Sequence, residues 1–298
     1  MMYASGSCCL LIFSSSSFYF FLVWQSISLF ALIHYFGGFI YNVNSISYVL
    51  VTLLSDIMII YGFVSVSTNF LFFGFMLKLS FFPFLWFVPN IILNLPYSLF
   101  CFLVFFHKVV VIILCYYVFL GFSFFYTLTI LLSIFISSLY LILNKGCLKS
   151  LLVWSSNIHC GWFLLLLSSG SYSVFTYISI YLFFGLFIIY VLVYGFEYYY
   201  LYEIVGLDSG LGFWFWFSFL FFCSFPPMLG WVLKFVVYFS AVTNYVVLIL
   251  VIFVNLFSTF GYLVVLSSFF VSVPSYNFLS LFSYLVPFSL LLLGLFLF

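Results

Sequence analysis

FGFMLKLSFFPFLWFVP, residues 73–89, is apolar apart from Lys78 and Ser80, and Pro83 follows the lysine by five positions. A run this oily reads as part of a membrane-spanning helix. A charge at mid-depth costs such a helix about 2.5–3.5 kcal/mol on insertion scales. A proline there removes a backbone donor and breaks the hydrogen-bond ladder. Both features are expensive in lipid, and a chain that holds them together has a use for them.

The rest of the sequence has the same character. Of 298 residues, 69% are hydrophobic, 28% aromatic and only 3% charged, where a soluble domain carries about 25% charged residues. Apolar runs of spanning length recur from end to end, so the fold class is all-α, a polytopic transmembrane bundle of about 10–11 helices. The alternating segments of roughly ten residues that mark a transmembrane barrel are absent. No stretch is polar enough for a soluble domain or a nucleic-acid surface. No Arg-rich amphipathic leader or cleavable signal is expected. With no arginine, 50 Phe and 25 Tyr, the composition suggests a T-rich, organelle-encoded gene. The seven cysteines lack CxxC or CxxH spacing, which argues against a disulfide framework, a zinc site or an iron–sulfur cluster.

Polar or Gly/Pro clusters divide the chain: SSSS (14–17), FGGFIYNVNS (36–45), VSVSTN (64–69), VPNIILNLP (88–96), GFS (121–123), LNKGCLKS (143–150), SSGSYS (168–173), EYYYLYEIVGLDSG (197–210) and VSVPSYN (271–277). The predicted helices are 24–40, 46–65, 69–88, 97–120, 122–143, 149–167, 173–196, a broken element across 211–240, 241–268 and 277–297. Residues 1–23 form a reduced N-terminal segment with a short first helix. Residues 24–143 make a first half and 149–298 a second half of one transmembrane domain. Lys145 and Lys149 mark a loop on the side of synthesis, and Glu197, Glu203 and Asp208 fall on that same side as solvated charges.

Inside the spans lie Asp56, Lys78, His107, Lys108 and Lys234. Three central lysines sum to about 8–10 kcal/mol of insertion cost. Snorkelling to the interface is the ordinary alternative, most plausible for Lys234. With a hairpin bend near residue 67, Asp56 and Lys78 stand eleven residues to either side and share a depth at which they can pair. His34 reads as packing, while His159 accompanies other polar groups. Pro83 follows Lys78, and Pro226–Pro227 precedes Lys234 with Gly230 between. Two lysine-bearing broken helices, one per half, fit the inverted-repeat design of ion transporters.

Four stretches carry a resemblance: MLKLSFFPFLWFVP (76–89), FFHKVVV (105–111), LNKGCLKSLLVWSSNIHCGW (143–162) and FPPMLGWVLKF (225–235). Together they resemble subunit 2 of mitochondrial NADH:ubiquinone oxidoreductase, respiratory complex I. Lys78, Pro83, Phe84, Trp86 or Phe87, and Pro89 follow its first motif. Lys108 matches its next lysine, with His107 where the family has Gln. Ser155, Ser156, His159, Gly161 and Trp162 complete its SSxxHxGW signature, and Pro226, Pro227, Gly230, Trp231 and Lys234 its PPxxGFxxK segment. The resemblance covers about 75–240.

It implies an antiporter-like, proton-translocating membrane-arm subunit in the mitochondrial inner membrane, held among other membrane-arm and accessory subunits and lipids. Lys78, Lys108 and Lys234 would then line the polar axis, with His159 near it and Lys149 in place of an arginine. No cofactor is expected in this chain; FMN, iron–sulfur clusters and ubiquinone belong to other subunits. The family also places in its second helix a glutamate that partners the first lysine. Residues 18–30, FYFFLVWQSISLF, hold no carboxylate, and Asp56 is expected to replace it. The alternatives are a free-standing cation/proton antiporter, a sister antiporter-like subunit, or a non-transporting membrane protein. The last gives no reason for three buried lysines beside helix breaks.

Overall fold

The computed structural model describes residues 15–37, 42–85, 95, 97–118, 124–144, 147–168, 173–194, 221–222, 229–241 and 245–272. Among these, nine helices follow in order: α1 (Ser15–Gly37), α2 (Asn42–Val64), α3 (Thr68–Leu79), α4 (97–118), α5 (Phe124–Leu143), α6 (Leu148–Ser168), α7 (Ser173–Tyr194), α8 (Leu229–Ala241) and α9 (Tyr245–Ser272). Five contain stretches long and apolar enough to cross a membrane: Ile46–Val64, Leu99–Tyr116, Phe124–Leu143, Leu148–Ser168 and Tyr245–Val265. The protein is a multi-pass helical membrane chain. It forms two compact units, Met1–Tyr126 and Thr127–Phe298.

In the first unit, α2 and α3 form a tight antiparallel hairpin. Its turn is closed by Ser65 N–H to Tyr61 O and Ser67 N–H to Gly62 O, both 2.9 Å. Two glycines let the helices meet. A Cβ at Gly74 would stand 2.7 Å from Ile59 Cγ1 and 3.0 Å from the Ser55 carbonyl, and one at Gly62 would stand 2.7 Å from Leu71 Cγ. Small residues at such a contact replace the hydrophobic driving force that lipid does not supply. The outer side of α2 shows Ile46, Leu50, Leu54, Ile57, Tyr61 and Val64, a row at helical spacing suited to lipid or neighbouring protein.

In the second unit, α6 is enclosed, with every residue from 150 to 167 buried. Protein therefore surrounds its polar residues Ser155, Ser156, Asn157 and His159, as an intramembrane polar group requires. Trp154 stacks on Tyr140 of α5 at 4.5 Å between ring centroids. Gly161 leaves room for Ile134, also of α5.

Most predicted helices lie within a few residues of those found, and two expectations are corrected. The helix predicted over 24–40 is already helical from Ser15, so the serines at 15–17 do not end a segment before it. Serine is a poor stop signal in lipid, since its hydroxyl bonds back to its own helix. Ser26, Ser28, Ser133 and Ser155 all donate to the carbonyl three residues earlier. The helix predicted over 69–88 ends at Leu79. There Ser80 turns left-handed (φ 59°, ψ 50°), and Phe81 N–H bonds to Met76 O at 2.8 Å and Ser80 N–H to Leu77 O at 3.2 Å. That pair of bonds is a Schellman cap. The helix thus stops before Pro83, whose peptide with Phe82 is cis, and Lys78 lies in the last turn rather than mid-helix. Residues 1–14, 211–220, 223–228 and 277–297, with the expectations placed on them, lie outside the described residues.

Gly74→Ala adds a methyl group against Ile59 and the Ser55 carbonyl, and overpacking of this kind costs about 1–3 kcal/mol. The denaturant midpoint of the full chain in detergent should fall accordingly. An unchanged midpoint would mean that the hairpin is not closely packed.

Candidate functional site

The two units each hold a polar cluster. In the first, Asp56 of α2 and Lys78 of α3 form a buried ion pair, with Oδ1 and Nζ 2.6 Å apart and both side chains about 1% exposed. The equal spacing on either side of residue 67 accounts for their common depth. Gly74, one turn before Lys78, lies against the Ser55 carbonyl next to Asp56, so the close approach of the backbones sets the approach of the charges. The early end of α3 adds a second effect, because the partial negative charge at a helix C-terminus favours a cation in its last turn.

Ser26 of α1 lies beside the Asp56 carboxylate, and its hydroxyl donates to Val23 O at 2.8 Å. Ser26 and the fully buried Gln25 fall within residues 18–30, the segment where the resemblance led to a missing carboxylate. The negative charge therefore stands on α2 and faces this segment of α1.

Lys108 and His107 are buried in α4, which runs as an α-turn Tyr97–Cys101, a π-helical segment Phe102–His107 and an α-helix Lys108–Val118. A π segment admits an extra residue and rotates the remainder of the helix by about 100°. The helix changes register at the His107–Lys108 junction. Both Lys78 and Lys108 lie within electrostatic reach of the His107 ring, and α3 packs on the second half of α4. The Asp56–Lys78 pair and the His107–Lys108 step thus lie on three helices of one unit, with both lysines acting on the imidazole.

In the second unit, Lys234 of α8 is fully buried. Its ammonium donates to Asn255 Oδ1 of α9 at 2.9 Å and lies 5.1 Å from the centroid of the Trp162 ring of α6, within the range of a cation–π contact. Asn255 in turn donates through Nδ2 to the Tyr238 hydroxyl. His159 Nδ1 is 3.1 Å from the Tyr177 hydroxyl, and the Lys234 charge acts on the imidazole. Tyr181, Phe221 and Phe222 pack around that ring at 4.9–6.3 Å. Full burial of Lys234 removes the snorkelling alternative.

One expectation for an outlying residue differs. His34 is exposed in the last turn of α1, with its ring 5.8 Å from Phe30, rather than buried packing. Lys149 is half-buried at the start of α6. Asn255, Tyr238 and Tyr177 were not singled out from the sequence. Asn255 had a signal, as the lone amide in YVVLILVIFVNLFSTFGY (245–262). The tyrosines had none among 25.

No protein-family model matches this sequence, and no curated protein is matched by it. Solved structures do match in fold. The chain is similar to a chain of the Mrp complex from Dietzia sp. DQ12-45-1b, with TM-score 0.76 and 14% identity over 89% of this chain and 58% of that one. It is similar to a chain of respiratory complex I from Thermus thermophilus, with TM-score 0.75 and 19% identity over 99% and 76%. A third likeness is to a chain of the membrane-bound sulfane sulfur reductase, an archaeal respiratory membrane complex, with TM-score 0.69 and 13% identity over 92% and 68%. The chain spans somewhat over half the length of the Mrp chain. The multi-span helical architecture read from the sequence is a fold these structures share.

Asp56→Ala leaves a buried ammonium without its carboxylate, a change that costs about 3–5 kcal/mol. Adding Lys78→Met should recover most of that loss. Denaturant midpoints of the two single variants and the double variant test this, and additive losses would show that the pair is not coupled.

Proposed function

We propose that this chain is a core proton-translocating subunit of the membrane arm of a respiratory complex I, subunit 2 of the mitochondrial NADH:ubiquinone oxidoreductase. The observation that carries the reading is the buried Asp56–Lys78 ion pair at an interrupted helix. A structural bundle gains little from such a pair, because well-packed apolar residues of the same volume serve as well or better. A transporter gains a site whose proton affinity depends on where a carboxylate stands. The likeness in fold to a chain of the Thermus complex supports the reading, as do the four sequence stretches.

In this mechanism Asp56 takes the part of the second-helix glutamate. Movement of Asp56 toward or away from Lys78 loads and unloads a proton at the lysine. Water links Lys78 to Lys108 past His107, and Lys234 and His159 form the corresponding relay of the second unit. The chain itself does no redox chemistry. FMN, iron–sulfur clusters and ubiquinone are held by partner subunits, whose electron transfer drives the charge movements here. Its place is the mitochondrial inner membrane, among other membrane-arm and accessory subunits.

The likeness to the Mrp chain, at a similar TM-score, favours as second reading a subunit of a different membrane complex or a free-standing antiporter. Native gel separation of mildly solubilised membranes, with mass spectrometry of the bands, separates the two. The first reading expects the chain in a very large band that oxidises NADH in the gel. A band without that activity would remove complex I and leave an ion transporter.

Lys78→Met should abolish proton translocation in assembled complex. Normal proton stoichiometry in complex carrying that substitution would refute the proton path.

A further inference from the structure

We infer that Asn255 is a positioning residue for Lys234, and that its side-chain amide turns over each time the lysine gives up its proton. Tyr238 makes both orientations satisfiable. The inference rests on the reading of Lys234 as a proton-path group, and its geometry lies wholly within the second unit.

An ammonium has three donors and no acceptor. Beside Lys234 the amide must therefore present its oxygen, as it does at 2.9 Å. Its NH2 then faces the other way, where the Tyr238 hydroxyl accepts from it. Tyr238 stands four residues after Lys234 on α8, so lysine and tyrosine occupy one face and enclose the amide of α9. The Trp162 ring and the His159 imidazole of α6 also stand near the ammonium. Among the described residues the amide thus bonds to Lys234 on one side and Tyr238 on the other.

Release of the proton inverts the requirement. One N–H bond of Lys234 breaks, its electron pair stays on Nζ, and the proton passes to a water molecule of the path. The neutral amine now carries a lone pair, which the amide oxygen cannot satisfy. Turned by half a rotation, the amide donates Nδ2–H to that lone pair and offers Oδ1 to the Tyr238 O–H. A hydroxyl both donates and accepts, so the phenol reverses with the amide, and the amine lone pair, the amide oxygen and the phenol each keep a partner. Leaving one unpaired in an apolar interior is what makes an intermediate state expensive. A carboxylate at position 255 accepts but does not donate, and phenylalanine at 238 does neither.

The test uses assembled complex in native membrane vesicles. Protons translocated per NADH oxidised are measured for Lys234→Met, Asn255→Leu, Asn255→Asp and Tyr238→Phe, with complex abundance as the assembly control. Asn255→Asp is the deciding variant, because it keeps an acceptor for the ammonium and loses the donor. It should translocate about tenfold less than the unmodified complex, as should Asn255→Leu. Tyr238→Phe should lower translocation several-fold and move the pH optimum of what remains, which a merely structural role would leave in place.

Normal translocation by Asn255→Asp, with Lys234→Met inactive, would overturn the amide exchange and leave the proton path standing. Normal translocation by Lys234→Met would overturn both. Where Asn255→Asp does not assemble, the smaller change Tyr238→Phe decides, and unaltered translocation with an unmoved pH optimum would overturn the inference.

Discussion

A charge in lipid has to be stabilised by the protein, since the bilayer core offers it neither water nor counter-ions. In this chain that requirement is met by a contact between two helices, the Asp56–Lys78 pair. Other features of the first unit bear on the pair. Gly62 and Gly74 bring α2 and α3 close enough for it to form. Ser80 ends α3 just beyond the lysine, and Ser26 lines the other side of the carboxylate. The pair costs more to break than it contributes while intact, so it acts as a constraint on register and depth more than as a source of stability.

The second unit meets the same requirement by other chemistry. Lys234 has an amide oxygen at hydrogen-bond distance and the face of an indole ring beside it. A carboxylate holds an ammonium strongly and discourages release of its proton, whereas an amide and an aromatic face hold it by dipole and quadrupole. The two lysines accordingly stand in different electrostatic surroundings although both are buried.

How much of this was legible depended on what a residue had to do. Depth in the membrane follows from counting along helices, so the partnership of Asp56 and Lys78 follows from their equal distance to the turn at residues 65–67. Helix positions followed from apolar run length, with errors where the stop signals of water-soluble helices do not carry over. The serines at 15–17 lie within α1 rather than before it, and α3 ends at a left-handed serine three residues before Pro83 rather than at the proline itself. The π segment before Lys108 and the Tyr238 and Tyr177 contacts depend on rotation about the helix axis, which single residues in a uniformly oily sequence do not mark. Asn255 was different, because a lone amide in such a run is visible, and its partner was not.

The enclosure of α6 bears on how the chain is made. Of the five spanning stretches it is the least apolar, and the only one among them buried along its whole length. A helix carrying two serines, an asparagine and a histidine in consecutive turns enters lipid less readily than the other four stretches, and in the finished protein its residues from 150 to 167 are buried in protein. Its membrane entry and its wrapping by neighbours are therefore coupled events. During synthesis it has to be retained beside the insertion machinery, or taken up by α5, before the later helices exist to cover it. Biogenesis of this unit is thus cooperative in the order of its helices, and a stall after α6 would expose a polar helix suited to recognition by membrane quality control.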